Sequence, residues 1–216
     1  MEYIQEMELN PNFKPSRTQR RVTQMRDAIL NVAQAMLVEG GASGLSCEQV
    51  AAAADVSIQT VYNRVGRKDD LLMALAERAV EESHRYMDSA YARGRSARQQ
   101  MEAALDGYIR FAFERPEAFL ILAQPPQPVA SPRLAELLNG QCGRLAAAIQ
   151  AGQAEGEVDP ELDPRGCATA LWALWNGILT AALQQKRYGL EQAEIDQALT
   201  ITKLIIDRGL TAWRRG

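Results

Sequence analysis

The stretch from Ser46 to Lys68, SCEQVAAAADVSIQTVYNRVGRK, gathers side chains whose chemistry is hydrogen bonding to base edges and phosphates rather than bond making. Gln59 and Asn63 carry amides, which pair bidentately with adenine, and Ile58 and Thr60 offer methyl groups suited to the thymine methyl. Tyr62 suits a phosphate or a base and Arg64 stands with these base-reading candidates, while Ser46, Ser57, Arg67 and Lys68 carry hydroxyls and cations suited to backbone phosphate oxygens. Which of them reads which base stays open at this level. All of them serve as readers only if they stand on the outer face of one short helix that a second helix locks in place.

Elsewhere the chain shows no catalytic constellation. His84 is the single histidine and lies among charged residues, where it reads as a solvated helix residue, and there is no HExxH, GxSxG or phosphate-loop pattern. Catalysis is therefore not expected. Cys47, Cys142 and Cys167 are widely separated and lack CxxC or CxxH spacing, so neither a disulfide framework nor a metal site is expected, and no cofactor. Cys47 invites a redox-sensor reading, but only a helix N-terminus is at hand to stabilise its thiolate.

The elements that position the polar cluster follow from punctuation and period. Between Gly and Pro residues the apolar positions recur at helical spacing, so the fold class is all α, with three helices in an N-terminal domain and six behind it. Residues 1–15 read as a flexible arm. The first helix presents Val22, Met25, Ile29, Val32, Ala33, Met36 and Leu37 as one stripe and stops at Gly40 and Gly41. Ser46 and Ser57 cap two short helices, CEQVAAAA and IQTVYNRV, and Asp55 sits at the turn between them, where a left-handed backbone usually calls for glycine. Val50, Ala51, Ala54, Val56 and Val61 are spaced to form their shared inner face. Gly66 ends the third helix, and Asp69 and Asp70 favour the start of a fourth that runs to about Gly94.

Further helices are expected at about Ala97 to Phe113, Pro116 to Ala123, Pro132 to Glu155, Pro164 to Lys186 and Leu190 to Arg214, with a loop from Pro125 to Pro132. Apolar residues Ala168 to Leu183 fall short of a membrane span and contain Asn176 and Gly177, so they read as a buried helix, and no membrane is expected. The N-terminus, MEYIQEMELN, lacks the basic start and apolar run of a secretory signal; with the cysteine usage this fits a cytoplasmic protein.

With these elements in place, VSIQTVYNRVGRKDDLLMAL, from Val56 to Leu75, resembles the recognition helix and the start of the fourth helix of the TetR family of transcriptional regulators. The likeness extends back to about Arg20. It implies a helix-turn-helix DNA-binding domain over residues 16–67, an effector-binding and dimerisation domain over residues 68–216, and a homodimeric repressor that leaves a palindromic operator in double-stranded DNA when a small-molecule effector binds. By position, Tyr62 corresponds to the family's recognition-helix tyrosine and Lys68 to its phosphate-gripping lysine. Arg64 stands where a histidine is usual, and Arg67 where a small polar residue often caps the fourth helix.

Charge and hydropathy fit that division. The chain of 216 residues has a formal net charge of −3, yet from Lys14 to Lys68 bases outnumber acids. Arg17, Arg20 and Arg21 suit phosphates or a minor groove, and equally a solvated tail.

The helix from Arg165 to Gln185 is apolar on nearly every side, so it needs cover from its own domain and from a partner. Leu171, Leu174, Ile178, Leu179, Ile195, Leu199, Thr202 and Ile206 are the expected interface of a two-fold dimer, with Trp213 on the same last helix. The family's ligand cavity would draw on Met101, Leu105, Tyr108, Phe111, Phe119, Leu122, Trp172, Trp175 and Asn176, although core packing is the stronger account at any one of these positions. Asn176 is the most pointed of these, because a buried amide must find a partner. The competing reading is a helical ligand-binding or interaction protein of the same fold that does not bind DNA; salt-dependent binding to a duplex separates the two.

Overall fold

The computed structural model describes residues 16–92, 94, 96–125 and 131–211, all helices and connections with no strand among them. The expected N-terminal arm, the middle of the expected loop, Arg93 and Trp213 lie outside the described residues. The chain folds as two compact units that divide at Leu71 and Leu72.

In the first unit, α1 (Arg17–Gly44) starts at Ser16, whose hydroxyl accepts from the Gln19 N–H at 3.1 Å while the Gln19 side-chain oxygen Oε1 takes the Ser16 N–H at 2.7 Å. This reciprocal capping box satisfies two donors that a helix start would otherwise leave open. The expected stop at Gly40 and Gly41 is a break instead: Gly41 adopts φ 68°, ψ 179°, and a last helical stretch follows to Gly44. Ile29, Ala33 and Leu37 of the expected stripe are buried, as is Leu30 beside it, whereas Val22, Met25, Val32 and Met36 are half-buried.

Next come α2 (Cys47–Ala53) and α3 (Ile58–Arg64), too short to persist alone and held by Val50, Ala51 and Val61 packed inward beside Leu45 and Leu71. Helix α4 (Lys68–Tyr91) begins in this unit and continues into the second.

The second unit adds α5 (Ala97–Glu114), α6 (Pro116–Ala123), α7 (Pro132–Ala154), α8 (Pro164–Leu183), the single turn α9 (Gln185–Tyr188) and α10 (Gln192–Leu210). The helix expected to run to Lys186 ends at Leu183, and α9 follows as a separate turn closed by Gly189 in the left-handed region (φ 65°). Proline opens α6, α7 and α8, where its missing N–H costs nothing. The core contains Phe111 and Phe119, edge-to-face at 6.2 Å, with Ile149, Leu179 and Ile195. Arg133 and Arg144 on α7 pair with Glu81 and Asp88 on α4.

Helix α8 departs from its expected reading. At 20 residues it is long and apolar enough to cross a membrane by length and composition, and only a third of its most apolar window is buried in the protomer.

Gly66 joins α3 to α4 with φ 115°, and a Cβ there would stand 2.4 Å from Asp70 Oδ2. Gly66→Ala is expected to lower stability by about 1–3 kcal/mol through backbone strain and that clash. Gly140→Ala, in the body of α7 with open space around the new methyl, should raise stability by about 1 kcal/mol or less. Urea denaturation checks both, and shifts of the same sign would contradict the assignment.

Candidate nucleic-acid interface and ligand cavity

The interface begins with the turn between α2 and α3. Asp55 has φ 53°, the only non-glycine positive φ among the described residues, as expected from its place in the sequence. Around it the Val56 N–H donates to Ala51 O at 3.0 Å and the Asp55 N–H to Ala52 O at 3.3 Å, the paired bonds of a Schellman closure. Asp tolerates the left-handed region better than most residues, so the turn forms without glycine.

Both caps are made: the Ser46 hydroxyl accepts from the Gln49 N–H at 3.2 Å and the Ser57 hydroxyl from the Thr60 N–H at 3.1 Å. Ser57 Oγ also lies 2.8 Å from Thr60 Oγ1. These hydroxyls are thus engaged with their own helices first, and a phosphate contact would come on top of that duty.

With Val61 buried, α3 turns its remaining side chains outward. Gln59, Asn63 and Arg64 are exposed, Tyr62 is 40% exposed, and Ile58 and Thr60 are half-buried at the start of the helix. Gln59 donates through Nε2 to Asn63 Oδ1 at 3.0 Å, one turn apart. That bond orients two amides on the same face and leaves the Gln59 oxygen and the Asn63 amide NH2 open. Arg67 is exposed and Lys68 half-buried, and the Arg67 N–H is taken by Asp70 Oδ2 at 2.9 Å. Cys47, by contrast, is buried, and burial followed by the Glu48 charge pushes its thiol up, opposite to what a reactive thiolate needs.

In the second unit a cleft of about 470 Å³ opens between α5, α7, α8 and α10. Of the nine expected lining residues it takes Met101, Leu105, Tyr108, Trp172 and Trp175. Phe111, Phe119 and Leu122 are core instead: the two phenylalanines are fully buried, and Tyr108 packs edge-on against Phe119 at 5.7 Å. Asn176 faces a separate shallow groove and is satisfied by protein, accepting at Oδ1 from the Tyr108 hydroxyl at 2.5 Å. Burial pushes the Tyr108 phenol far up, so it donates at any ordinary pH.

Two residues expected at the dimer interface, Leu171 and Ile206, line this cleft. Leu179, Ile195 and Thr202 are covered within the protomer and leave almost no surface for a partner. Leu174 is 42% exposed, and Ile178 and Leu199 are half-buried. Sequence reading missed Ile201, Leu204 and Ile205, which are exposed on the outer side of α10. Their i, i+3, i+4 spacing was the available signal, a second apolar stripe alongside the inward one.

His84 is also not the solvated residue expected. It is half-buried with Nε2 unpartnered, and burial first, then the nearby Arg144 charge, hold its imidazole below the ordinary value.

A family model of the bacterial regulatory proteins of the tetR family matches residues 29–75, and one of the tetracyclin repressor-like C-terminal domain matches residues 124–195. The chain belongs to the TetR family. No curated protein matches it.

Solved structures share the fold. A TetR-family bacterial regulatory protein from Rhodococcus RHA1 is 15% identical with a TM-score of 0.72, over 87% of this chain and 97% of that one. FadR from Bacillus subtilis, in complex with stearoyl-CoA, is 14% identical with a TM-score of 0.71, over 85% and 98%. AibR, in complex with isovaleryl coenzyme A and operator DNA, is 16% identical with a TM-score of 0.67, over 85% and 98%.

Because the folded protein binds a proton at His84 less tightly than the unfolded chain does, the associated stability is complete above the ordinary histidine pKa of about 6.5 and is lost as pH falls below it. The melting temperature should therefore drop from pH about 7.5 to about 5.5, by less in His84→Gln. Equal drops in the two proteins would contradict the assignment.

Proposed function

We propose that this TetR-family regulator is a ligand-responsive repressor, binding a palindromic operator as a homodimer in the cytoplasm and leaving it when a small molecule fills the cleft. The observation that carries this reading is the outer face of α3. A capped helix held by a left-handed turn presents an oriented amide pair, Gln59 and Asn63, with Tyr62 exposed beside them and Lys68 and Arg67 following. Such a face suits a major groove, with the cations on the flanking phosphates. AibR, of the same fold, is known with both a coenzyme A thioester and operator DNA, which supports one protein serving both partners.

A dimer is supported by the uncovered apolar surface of the second unit. Leu174 on α8 and Ile201, Leu204 and Ile205 on α10 are large, apolar and exposed, and Gly177 has nothing within 4 Å of where a Cβ would stand, leaving its backbone open to close approach. Two-fold pairing through α8 and α10 would cover them and supply the symmetry of a palindrome. Of the expected interface, Leu174, Ile178 and Leu199 remain in it, joined by the α10 stripe.

Release by ligand requires the effector to bind the DNA-incompetent conformation more tightly, by about 1–3 kcal/mol for typical coupling.

Binding to operators selected from a random pool, followed by fluorescence anisotropy, tests the DNA reading. Lys68→Ala should weaken every sequence alike and flatten the salt dependence, whereas Gln59→Ala or Asn63→Ala should relax preference at one position, by about 1–3 kcal/mol. Uniform loss for all three variants would contradict the roles. Sedimentation velocity tests the dimer: Ile205→Asp should shift the protein to monomer and, at the same total concentration, abolish tight operator binding. A wild-type monomer would overturn the assembly.

A further inference from the structure

The lining of the cleft restricts what can occupy it. Four carboxylates, Glu102, Asp106, Glu157 and Asp207, and two cations, Arg98 and Lys203, stand in the wall, a net charge of −2. Both cations are already held: Arg98 by Glu102 at 2.9 Å and Asp207 at 2.7 Å, Lys203 by Asp106 at 3.7 Å. Glu157 makes no direct ion pair among the described residues. An incoming anion would find both cations already paired and would approach a wall of net negative charge, its charged side chains half or more exposed and so partly screened by water.

Deeper in, the polar groups point the same way. The Tyr108 hydroxyl is committed to Asn176. Gln141, 95% buried and part of the lining, donates through Nε2 to Ser83 Oγ at 3.1 Å and to Met87 Sδ at 3.0 Å. The thioether can only accept, so the amide nitrogen must face it and the orientation of the group is fixed. Its Oε1 is left without a partner. An unsatisfied buried acceptor is destabilising, and a ligand donor would recover that loss. The remaining surface includes Trp172 and Trp175, whose ring faces attract cations.

From the net charge of the wall, the orphaned Gln141 oxygen and the two indoles, we infer that the cleft takes a lipophilic molecule bearing a protonated amine, and discriminates against carboxylates and acyl thioesters of coenzyme A. The inference rests on the cleft being the effector site and assigns its ligand class. It sets this protein apart from FadR of Bacillus subtilis, which is known with stearoyl-CoA. The hydrophobic part of the ligand fills the apolar wall of Met101, Leu105 and Leu171, and its ammonium group donates to Gln141 in a cleft whose wall carries net negative charge.

Isothermal titration of the full chain with 4-phenylbutylamine, 4-phenylbutanol and 4-phenylbutanoate compares a cation, a neutral donor and an anion on one tail. The amine should bind about tenfold more tightly than the alcohol and the carboxylate more weakly than either, with the spread narrowing as salt is added. Glu157→Gln should narrow the gap between amine and alcohol without altering alcohol affinity, and Gln141→Met should weaken both donors. Equal or tighter binding of the carboxylate, tighter binding of stearoyl-CoA than of the amine, or no binding by any of the three tails would overturn the inference. No DNA enters this experiment, so its failure is separate from failure of the repressor reading. Selective amine binding that leaves operator affinity unchanged would sink the effector role and leave the selectivity standing.

Discussion

Helix α8 carries apolar side chains around its circumference, and one protomer can cover only part of them. Trp175 and Leu179 turn inward and are buried, Leu171 and Trp172 border the cleft, and Leu174 stays in solvent on the far side. A helix so composed cannot be a surface element of a monomer without leaving a patch of the kind that associates. The same element therefore has a core face, a cleft face and a face open to a partner, and a shift of α8 in response to a ligand would be felt at all three. Helix α10 has the same three environments, with Ile195 buried, Ile206 at the cleft and Ile205 exposed, so the two helices share that coupling.

The polar groups inside this apolar frame are few, and most are paired. Tyr108 reaches from α5 to Asn176 on α8, and the buried Gln141 on α7 reaches to Ser83 and Met87 on α4. Each link ties two helices at a defined register, as buried polar pairs do when satisfied. Gln141 Oε1, which like Glu82 Oε2, His84 Nε2 and Gln184 Oε1 has no hydrogen-bond partner, belongs to a residue of the cleft wall, beside the space for a ligand.

The N-terminal unit was legible in the sequence because its determinants are local. Ser46, Ser57, Asp55 and Gly66 act within a few residues of themselves through caps and left-handed turns, and each does what its type and position implied. The second unit was legible in its helices but not in the destinations of their side chains. Phe111 and Trp172 are both aromatic and both at helical spacing; only the packing of α6 against α5 and α8 makes one core and the other cleft wall. Likewise Ile195 and Ile205 lie on the same helix with the same chemistry, one buried and one 59% exposed, and the pattern of α10 reads as inward on two sides. Hydrophobicity specifies burial without saying against what. His84 failed differently: its neighbours in sequence are charged, but α7 supplies Arg144 and the cover that isolates its Nε2.

The two departures from the family pattern near the recognition helix also resolve into one arrangement. Arg67 replaces a small capping residue, yet the start of α4 is not left open, because Asp70 takes the Arg67 backbone N–H at 2.9 Å. That is the half of a capping box in which the residue three places into the helix reaches back, and it works whatever side chain precedes the helix. Asp69 and Asp70 further favour the positive end of α4. The capping duty having passed to Asp70, the side chain at position 67 is free to carry charge, and its guanidinium is exposed alongside that of Arg64. Two substitutions that looked like losses of a cap and of a histidine thus add two permanent cations beside α3, in a chain whose net charge is negative. Phosphate affinity that depends on such fixed charges is insensitive to pH near neutrality and sensitive to salt, whereas a histidine in the same place would have made it sensitive to both.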